Sequence, residues 1–323
     1  MRLDGCIRLI VVCAVATATL LPATGCGTKK KGKKGLTIAK LKENAEKETS
    51  PDRKAAAYLK IAAQQIGAGD KTGAKASAKD ALKALLDEDG KAPAGEANQF
   101  APRIVEVADT LALVGDKKQA GDALKLATAD DYGNTIEDAV RKTQVLAEAA
   151  GIYGDKAKGI GDSAKAKDLL AKAKEVAGTA DERFRADALA AVALGYTRSG
   201  LAKEAGDMVD ALVKAAQELE QPRAKAEALA AAANVKAQTG KKDDATKLLT
   251  EAADAAKSVE RPDGKAFALI AIAIATEANG DAKGALSLLK EADKAANKAS
   301  EPDTQKALVE KVNKLTMEFN KKK

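Results

Sequence analysis

Two consecutive stretches of 40 residues decide the fold. Residues 223–262 read RAKAEALAAAANVKAQTGKKDDATKLLTEAADAAKSVERP, and residues 263–302 read DGKAFALIAIAIATEANGDAKGALSLLKEADKAANKASEP. The two stretches align without a gap, and Pro222, Pro262 and Pro302 are each separated by 40 residues. Self-similarity at a fixed period of this length is the signature of repeat architectures, so the chain is predicted to consist of stacked repeats.

A second marker extends the repeat over most of the chain. It is a glycine followed five residues later by an alanine, and it recurs with spacings of 46, 46, 39, 40 and 40 residues at Gly69, Gly115, Gly161, Gly200, Gly240 and Gly280. Six units are therefore predicted. In the third unit, additional glycines indicate an extended turn, which is either a longer surface loop or a hinge between the first two units and the last three: Gly151, Gly154 and Gly159.

Each unit has the pattern of two helices. Leu229 and Ala233 in one unit, and Leu269 and Ala273 in the next, share a helix face at a spacing of four residues. The glycine ends this first helix in the left-handed conformation, and in four units an aspartate follows it, as a cap for the second helix. The predicted fold is all-α: an α-solenoid of about six helical hairpins with a period of about 40–46 residues. A lone helix over 37–48 precedes the stack, and a capping helix over 304–320 ends it.

These hairpins resemble the tetratricopeptide repeat (TPR). The small residue of that family's first helix matches Ala193, Ala233 and Ala273, and its tyrosine is present once, as Tyr196. HEAT-type repeats have about the same period, but the Gly-Asp turn is more similar to the TPR unit. In TPR stacks the first helices line a concave groove that holds a peptide or a partner helix. The resemblance therefore implies a partner-binding groove formed by Asp187, Leu194, Arg198, Glu227, Asn234, Gln238, Phe267, Ile270, Ile274 and Glu277.

One part of that groove is more apolar than the rest. Phe267, Ile270 and Ile274 follow one another at helical spacing on a face that differs from the Leu269 and Ala273 face. A helix that is apolar on two sides must be covered twice. Either the capping helix or a partner's helix or peptide is expected to cover the second side.

The N-terminus is typical of an exported protein. Residues 1–25 have the pattern of a signal peptide, with Arg2 and Arg8, an apolar stretch too short to span a bilayer, and a small-residue end before Cys26. That end resembles the lipobox of bacterial lipoproteins, which implies lipidation of Cys26; cleavage by ordinary signal peptidase, or a retained membrane helix, is the alternative. Residues 26–36 are then the lipidated cysteine and a Lys/Gly-rich tether, and 37–323 the repeat domain. The expected location is the bacterial cell envelope, lipid-anchored at the outer membrane and facing the periplasm.

Composition excludes several classes of function. The chain has no histidine, and its three cysteines all lie within the first 26 residues, so a Cys/His metal site or a Ser-His-Asp triad is excluded. The net charge of +7 comes from lysines near the ends, and the body lacks the basic stripe of a nucleic-acid binder. No cofactor, metal or nucleic acid is predicted. The predicted function is non-enzymatic binding of an unknown protein or peptide; the alternative is a largely disordered stress-protective protein of the envelope.

Overall fold

A computed structural model of the chain describes residues 37–129 and 132–321. Over those residues the fold is all-α, with 14 α-helices and no β-strand. The described residues form two compact units. The N-terminal unit consists of residues 37–138 and 156–161, and the C-terminal unit of residues 139–155 and 162–321.

The N-terminal unit is a lone helix followed by two hairpins. Helix α1 (Ile38–Glu46) packs against the first hairpin, α2 (Pro51–Gly67) and α3 (Lys71–Lys83), which packs in turn against the second, α4 (Ala97–Leu113) and α5 (Lys117–Ala127). Two short 3-10 turns flank the second hairpin, at Ala94–Glu96 and Gly133–Thr135. The predicted lone helix before the stack is confirmed.

The C-terminal unit contains four hairpins and a final single helix. The hairpins are α6 (Ala139–Gly154) with α7 (Ser163–Gly178), α8 (Glu182–Arg198) with α9 (Ala202–Gln217), α10 (Pro222–Gln238) with α11 (Lys242–Lys257), and α12 (Pro262–Ala278) with α13 (Ala282–Ala296). The final helix is α14 (Pro302–Asn320). We call the first-named helix of each hairpin its first helix. Successive first helices pack side by side, and each second helix also packs against the next first helix, which is the arrangement of an α-solenoid.

The turn glycines have the predicted conformation. All six have positive φ, between 73° and 97°. In five of the hairpins the next residue donates its amide to the carbonyl five residues earlier, as Asp281 does to Thr276 (3.1 Å), which completes a Schellman motif. The four predicted aspartate caps are also present: Asp70, Asp116, Asp162 and Asp281 each accept a hydrogen bond from the amide three residues later. These turns fix the antiparallel pairing of the helices.

The third hairpin has the predicted extended turn. There the Asp162 amide donates to the carbonyl of Tyr153, nine residues earlier rather than five (2.6 Å). The turn is therefore the same motif with four residues inserted. Within the N-terminal unit, one inserted residue, Ile160, lies against α5: its carbonyl accepts from Lys117 Nζ (3.4 Å).

Alanine and glycine allow the helices of the C-terminal unit to approach closely. The interfaces are lined by fully buried alanines such as Ala193, Ala233 and Ala273. Gly195 is the tightest position: an added Cβ would lie 2.8 Å from the Ala147 carbonyl oxygen and 2.8 Å from Leu170 Cδ2. The predicted all-α fold of helical hairpins with a C-terminal capping helix is confirmed: two hairpins lie in the N-terminal unit and four in the C-terminal unit. The packing within each unit disagrees with a largely disordered chain.

Candidate partner-binding face

The first helices of the C-terminal unit present matching positions to one side. Relative to the turn glycine, three positions recur in α8, α10 and α12 and form three rows: Asp187, Glu227 and Phe267; Ala191, Ala231 and Ala271; and Leu194, Asn234 and Ile274. On α10, Glu227 and Ala231 are partly exposed, whereas Ala228–Ala230 between them are buried. We call the three rows, together with Arg198, Arg223, Gln238 and Glu277, the first-helix face.

Most residues of the predicted groove reach this face. Asp187, Leu194, Arg198, Glu227, Ile274 and Glu277 are partly exposed, and Gln238 is exposed. Asn234 is buried, and its Oδ1 accepts a hydrogen bond from Gln238 Nε2 (2.7 Å). Apart from Asn234, these residues are therefore accessible to a partner.

The apolar part of the predicted groove needs correction. Ile270 is 0% exposed, and the matching positions of the two earlier repeats, Ala190 and Ala230, are buried as well. Phe267 is 4% exposed, since the Arg223 guanidinium lies over its ring at 4.4 Å from the centroid. Helix α14 packs against α12 and α13 and buries Leu308 and Val312. Coverage of the apolar side from within the chain therefore agrees with the structure.

A charged cluster crosses the face at α10. Arg223 Nε donates to Glu227 Oε1 (2.8 Å). Lys311 of α14 also lies near enough to Glu227 to lower the pKa of its carboxyl group. Burial has the larger effect and raises the pKa of Glu227 above its ordinary value despite both cations. Sequence reasoning missed Arg223 and Lys311; the four-residue spacing of Arg223 from Glu227 was the available signal for the first.

Asp187 is in a different situation from Glu227. Burial, and then the charge of Glu227, raise the pKa of the Asp187 carboxyl to about 6, while Arg223 acts in the opposite direction. Among the described residues, Asp187 makes no hydrogen bond and no ion pair. It is therefore an ionisable group at the surface of the face whose charge is incompletely compensated.

Arg198 lies at the edge of the face next to α6. Its Nε lies 3.8 Å from the Asp155 carboxylate, and its aliphatic carbons lie against Gly151 of α6, where an added Cβ would approach to 2.8 Å. A glycine at 151 thus makes room for the arginine. The sequence pattern identified Arg198 but not Asp155, because the inserted turn shifts the register of α6 relative to α8.

The face has the chemistry of a binding surface. It combines carboxylates, guanidinium groups, a row of alanines and the apolar side chains of Leu194 and Ile274. Within residues 37–129 and 132–321, no group of three metal-ligating side chains is close enough together to hold a metal ion. In the same ranges, no helix is both long and apolar enough to cross a membrane.

Comparisons with known proteins identify no family for this chain. No family model matches the chain, and no curated protein is significantly similar to it. The APC/C hetero-tetramer Cut9-Hcn1 is 13% identical over 85% of this chain, with a TM-score of 0.32; the match spans only 48% of that protein. Ton1535 from Thermococcus onnurineus NA1 is 15% identical over 86% of this chain and 84% of its own, with a TM-score of 0.28.

A third solved structure is a circular tandem repeat protein with a novel repeat topology. It is 13% identical over 88% of this chain and 77% of its own, with a TM-score of 0.29. Similarities at these identities and TM-scores assign neither family nor function. Cys26, the signal peptide and the tether lie outside the described residues.

Proposed function

We propose that this protein is a non-enzymatic lipoprotein of the bacterial cell envelope whose C-terminal unit binds a partner polypeptide at the first-helix face. The observation that carries the proposal is the alignment of matching positions into rows across α8, α10 and α12. Neighbouring packed helices are about 8–10 Å apart, so each row offers contacts at regular intervals along a line. A rod-shaped or extended ligand, such as a helix or a peptide strand, fits a surface of this kind.

The residue types of the face support a polypeptide ligand. Ala231 and Ala271 are small and partly exposed, which lets a ligand backbone approach the helices. Leu194 and Ile274 offer apolar contacts on one side of the alanine row, and the charges of Asp187, Arg223 and Glu227 lie on the other. Side chains of a polypeptide supply both kinds of group at intervals that match.

A bulky substitution in the alanine row tests whether a polypeptide binds at the first-helix face. We expect the purified full chain to select binders from a displayed random-peptide library, and Ala231→Arg to abolish the selection by filling the space above α10. Ala211→Arg is the matched control, because Ala211 is exposed on the second helix α9, outside the face. Equal selection by the native chain and Ala231→Arg would contradict the proposal.

Membrane anchoring is supported by the sequence alone. The small-residue end before Cys26 and the Lys/Gly tether after it are the features that suggest a lipoprotein of the outer membrane facing the periplasm. We expect Cys26→Ser to abolish metabolic labelling by a fatty-acid analogue and to move the protein from the membrane fraction to the soluble fraction. Unchanged labelling of Cys26→Ser would refute lipidation at this residue.

A further inference from the structure

Two successive repeats contain the same arginine-acid pair but use it differently. Arg223 precedes Glu227 by four residues on α10, and Arg183 precedes Asp187 by four residues on α8. On α10 the pair forms an ion pair, with Nε and Oε1 2.8 Å apart. On α8 it does not form.

Arg183 is engaged elsewhere. Its Nε and Nη2 donate to the two carboxylate oxygens of Asp181 (3.1 and 3.2 Å), and the Arg183 amide donates to Asp181 Oδ1 (3.0 Å). Asp181 is the N-cap of α8, so this arrangement holds the arginine at the helix start, where it is largely exposed. The carboxylate of Asp187 loses the counterion that its repeat would otherwise supply.

Within residues 37–129 and 132–321, no other cation forms an ion pair with Asp187. Arg223 influences the Asp187 carboxyl only from beyond ion-pair distance, because its Nε is committed to Glu227. Its Nη2 is buried and makes no hydrogen bond within the described part of the chain. Glu227, by contrast, forms an ion pair with Arg223 of its own helix, and the charge of Lys311 on α14 also lowers the pKa of its carboxyl group. On α10, cations from within the chain therefore compensate the carboxylate of this row.

We propose that Asp187 is a subsite for a cationic side chain, lysine or arginine, of the polypeptide bound at the first-helix face. The inference rests on the proposed function and specifies the chemistry of its ligand. A partly buried carboxylate that lacks a hydrogen bond and an ion pair gains most from a charge-assisted hydrogen bond, because solvent screens the interaction poorly there. An ammonium or guanidinium group of the ligand supplies the positive charge that Arg183, which is paired with Asp181, does not supply.

Charge at position 187 should therefore decide which peptides bind. We expect a random-peptide library selected on the full chain to be enriched in lysine or arginine at one position. Asp187→Asn should lose that enrichment and still bind peptides, and Asp187→Lys should select aspartate or glutamate instead. For one selected peptide, replacing its lysine by norleucine should weaken binding to the native chain about tenfold or more, and leave binding to Asp187→Asn unchanged.

Two control variants test whether the lysine or arginine preference depends on Asp187 and not on another charged residue. Asp207→Asn removes an exposed carboxylate on α9, outside the face, and should keep the lysine or arginine preference. Arg183→Ala removes the arginine that could compete for Asp187, and should keep or strengthen the preference. If Arg183→Ala abolished the preference, the cation subsite would not be at Asp187.

The remaining outcomes distinguish the cation subsite at Asp187 from the binding face as a whole. Peptides selected without any lysine or arginine preference, or with the same preference on Asp187→Asn, would overturn the cation subsite and leave the binding face in place. Failure of the native chain to select any peptide would overturn the binding face and the subsite together. Unfolding is not a competing explanation for Asp187→Asn, because removing this charge is expected to stabilise the C-terminal unit.

Discussion

The Asp187 carboxylate combines a proposed role in binding with a cost in stability. Its pKa is raised to about 6 in the folded chain, against an ordinary value of 3.8. A carboxyl whose folded pKa is raised binds a proton more readily when folded, so its contribution to the free energy of unfolding falls as pH rises from about 4 to 6. Above that window the ionised group is destabilising.

Asp187→Asn should therefore stabilise the chain near neutral pH. We expect its free energy of unfolding at pH 7.5 to exceed that of the native chain by about 1–3 kcal/mol. Near pH 4, where the native carboxyl is protonated as well, the two proteins should become equal. Urea denaturation followed by circular dichroism at several pH values measures the difference. A variant less stable than the native chain at pH 7.5 would show that Asp187 is already compensated.

Gly195 is a residue at which only a hydrogen atom fits. A Cβ would lie 2.8 Å from the backbone oxygen of Ala147, which cannot move without shifting α6. We expect Gly195→Ala to lower the free energy of unfolding by about 1–3 kcal/mol. Gly206→Ala is the matched control, because Gly206 lies inside α9 with nothing within 4 Å of the added Cβ. Helix propensity should make that substitution stabilising by up to about 1 kcal/mol.

At the level of single residues, the sequence could identify which residues share the face, but not which of its charged side chains form ion pairs. The repeat register brought Asp187, Glu227 and Arg198 to the same side because that register depends only on helical periodicity. The choice of Arg183 between Asp181 and Asp187 depends on side-chain rotamers, which periodicity does not encode. Ile270 was misplaced because it is fully buried, and a buried isoleucine has the same helical spacing in the sequence as one that is exposed to a partner.

The helix caps show how far the repeats have diverged as elements. Four second helices have an aspartate cap, whereas α9 and α11 begin after Leu201 and Lys241, which make no side-chain cap. The turn before α11 is otherwise closed in the same way, with the Lys241 amide donating to the Lys236 carbonyl (2.8 Å). The turn therefore forms without the aspartate cap, because the glycine already fixes its conformation.

Installing and removing the cap tests its contribution. We expect Lys241→Asp to raise the free energy of unfolding by about 0.5–1 kcal/mol, because the new carboxylate can accept a hydrogen bond from an unpaired amide of α11. Asp281→Ala should lower it by about 1 kcal/mol by removing the bond from the Gly284 amide (2.8 Å). Thermal denaturation measures both. Changes of the same sign in the two variants would contradict this account of the caps.

Among the elements, those that follow a repeated local rule were predictable. The hairpins could be predicted from the turn glycine, the residue after it and the leucine-alanine spacing. Each of these acts through a backbone conformation or a helix face. Proline did not mark every first helix: α2, α10 and α12 begin at prolines, whereas Pro102 lies inside α4, which begins at Ala97. The inserted turn of the third hairpin was visible as extra glycines, but its hydrogen bond from Asp162 to Tyr153 required the structure.

At the scale of the whole molecule, each unit is stabilised chiefly by contacts between neighbouring helices. A hairpin with one apolar side cannot bury that side alone, so the last hairpin depends on α14. In α14 the apolar residues are spaced along one face, and Leu308, Val312, Leu315 and Phe319 are all buried, whereas Met317 is 60% exposed. The final helix thus covers the unit without offering an apolar surface to a further repeat.

The contribution of α14 distinguishes a packed solenoid from a disordered chain. Leu315 is 1% exposed, so Leu315→Ala should leave a cavity and lower the free energy of unfolding by about 2–4 kcal/mol. For a unit of this size, we expect the melting midpoint of the C-terminal unit to fall by about 5–10 °C in far-UV circular dichroism. Met317→Ala, on the same helix, should leave the midpoint within about 1–2 °C of the native value. If both variants and the native chain lost their signal gradually over the same range, the repeats would not pack on one another, and neither the face across α8, α10 and α12 nor the subsite at Asp187 would exist.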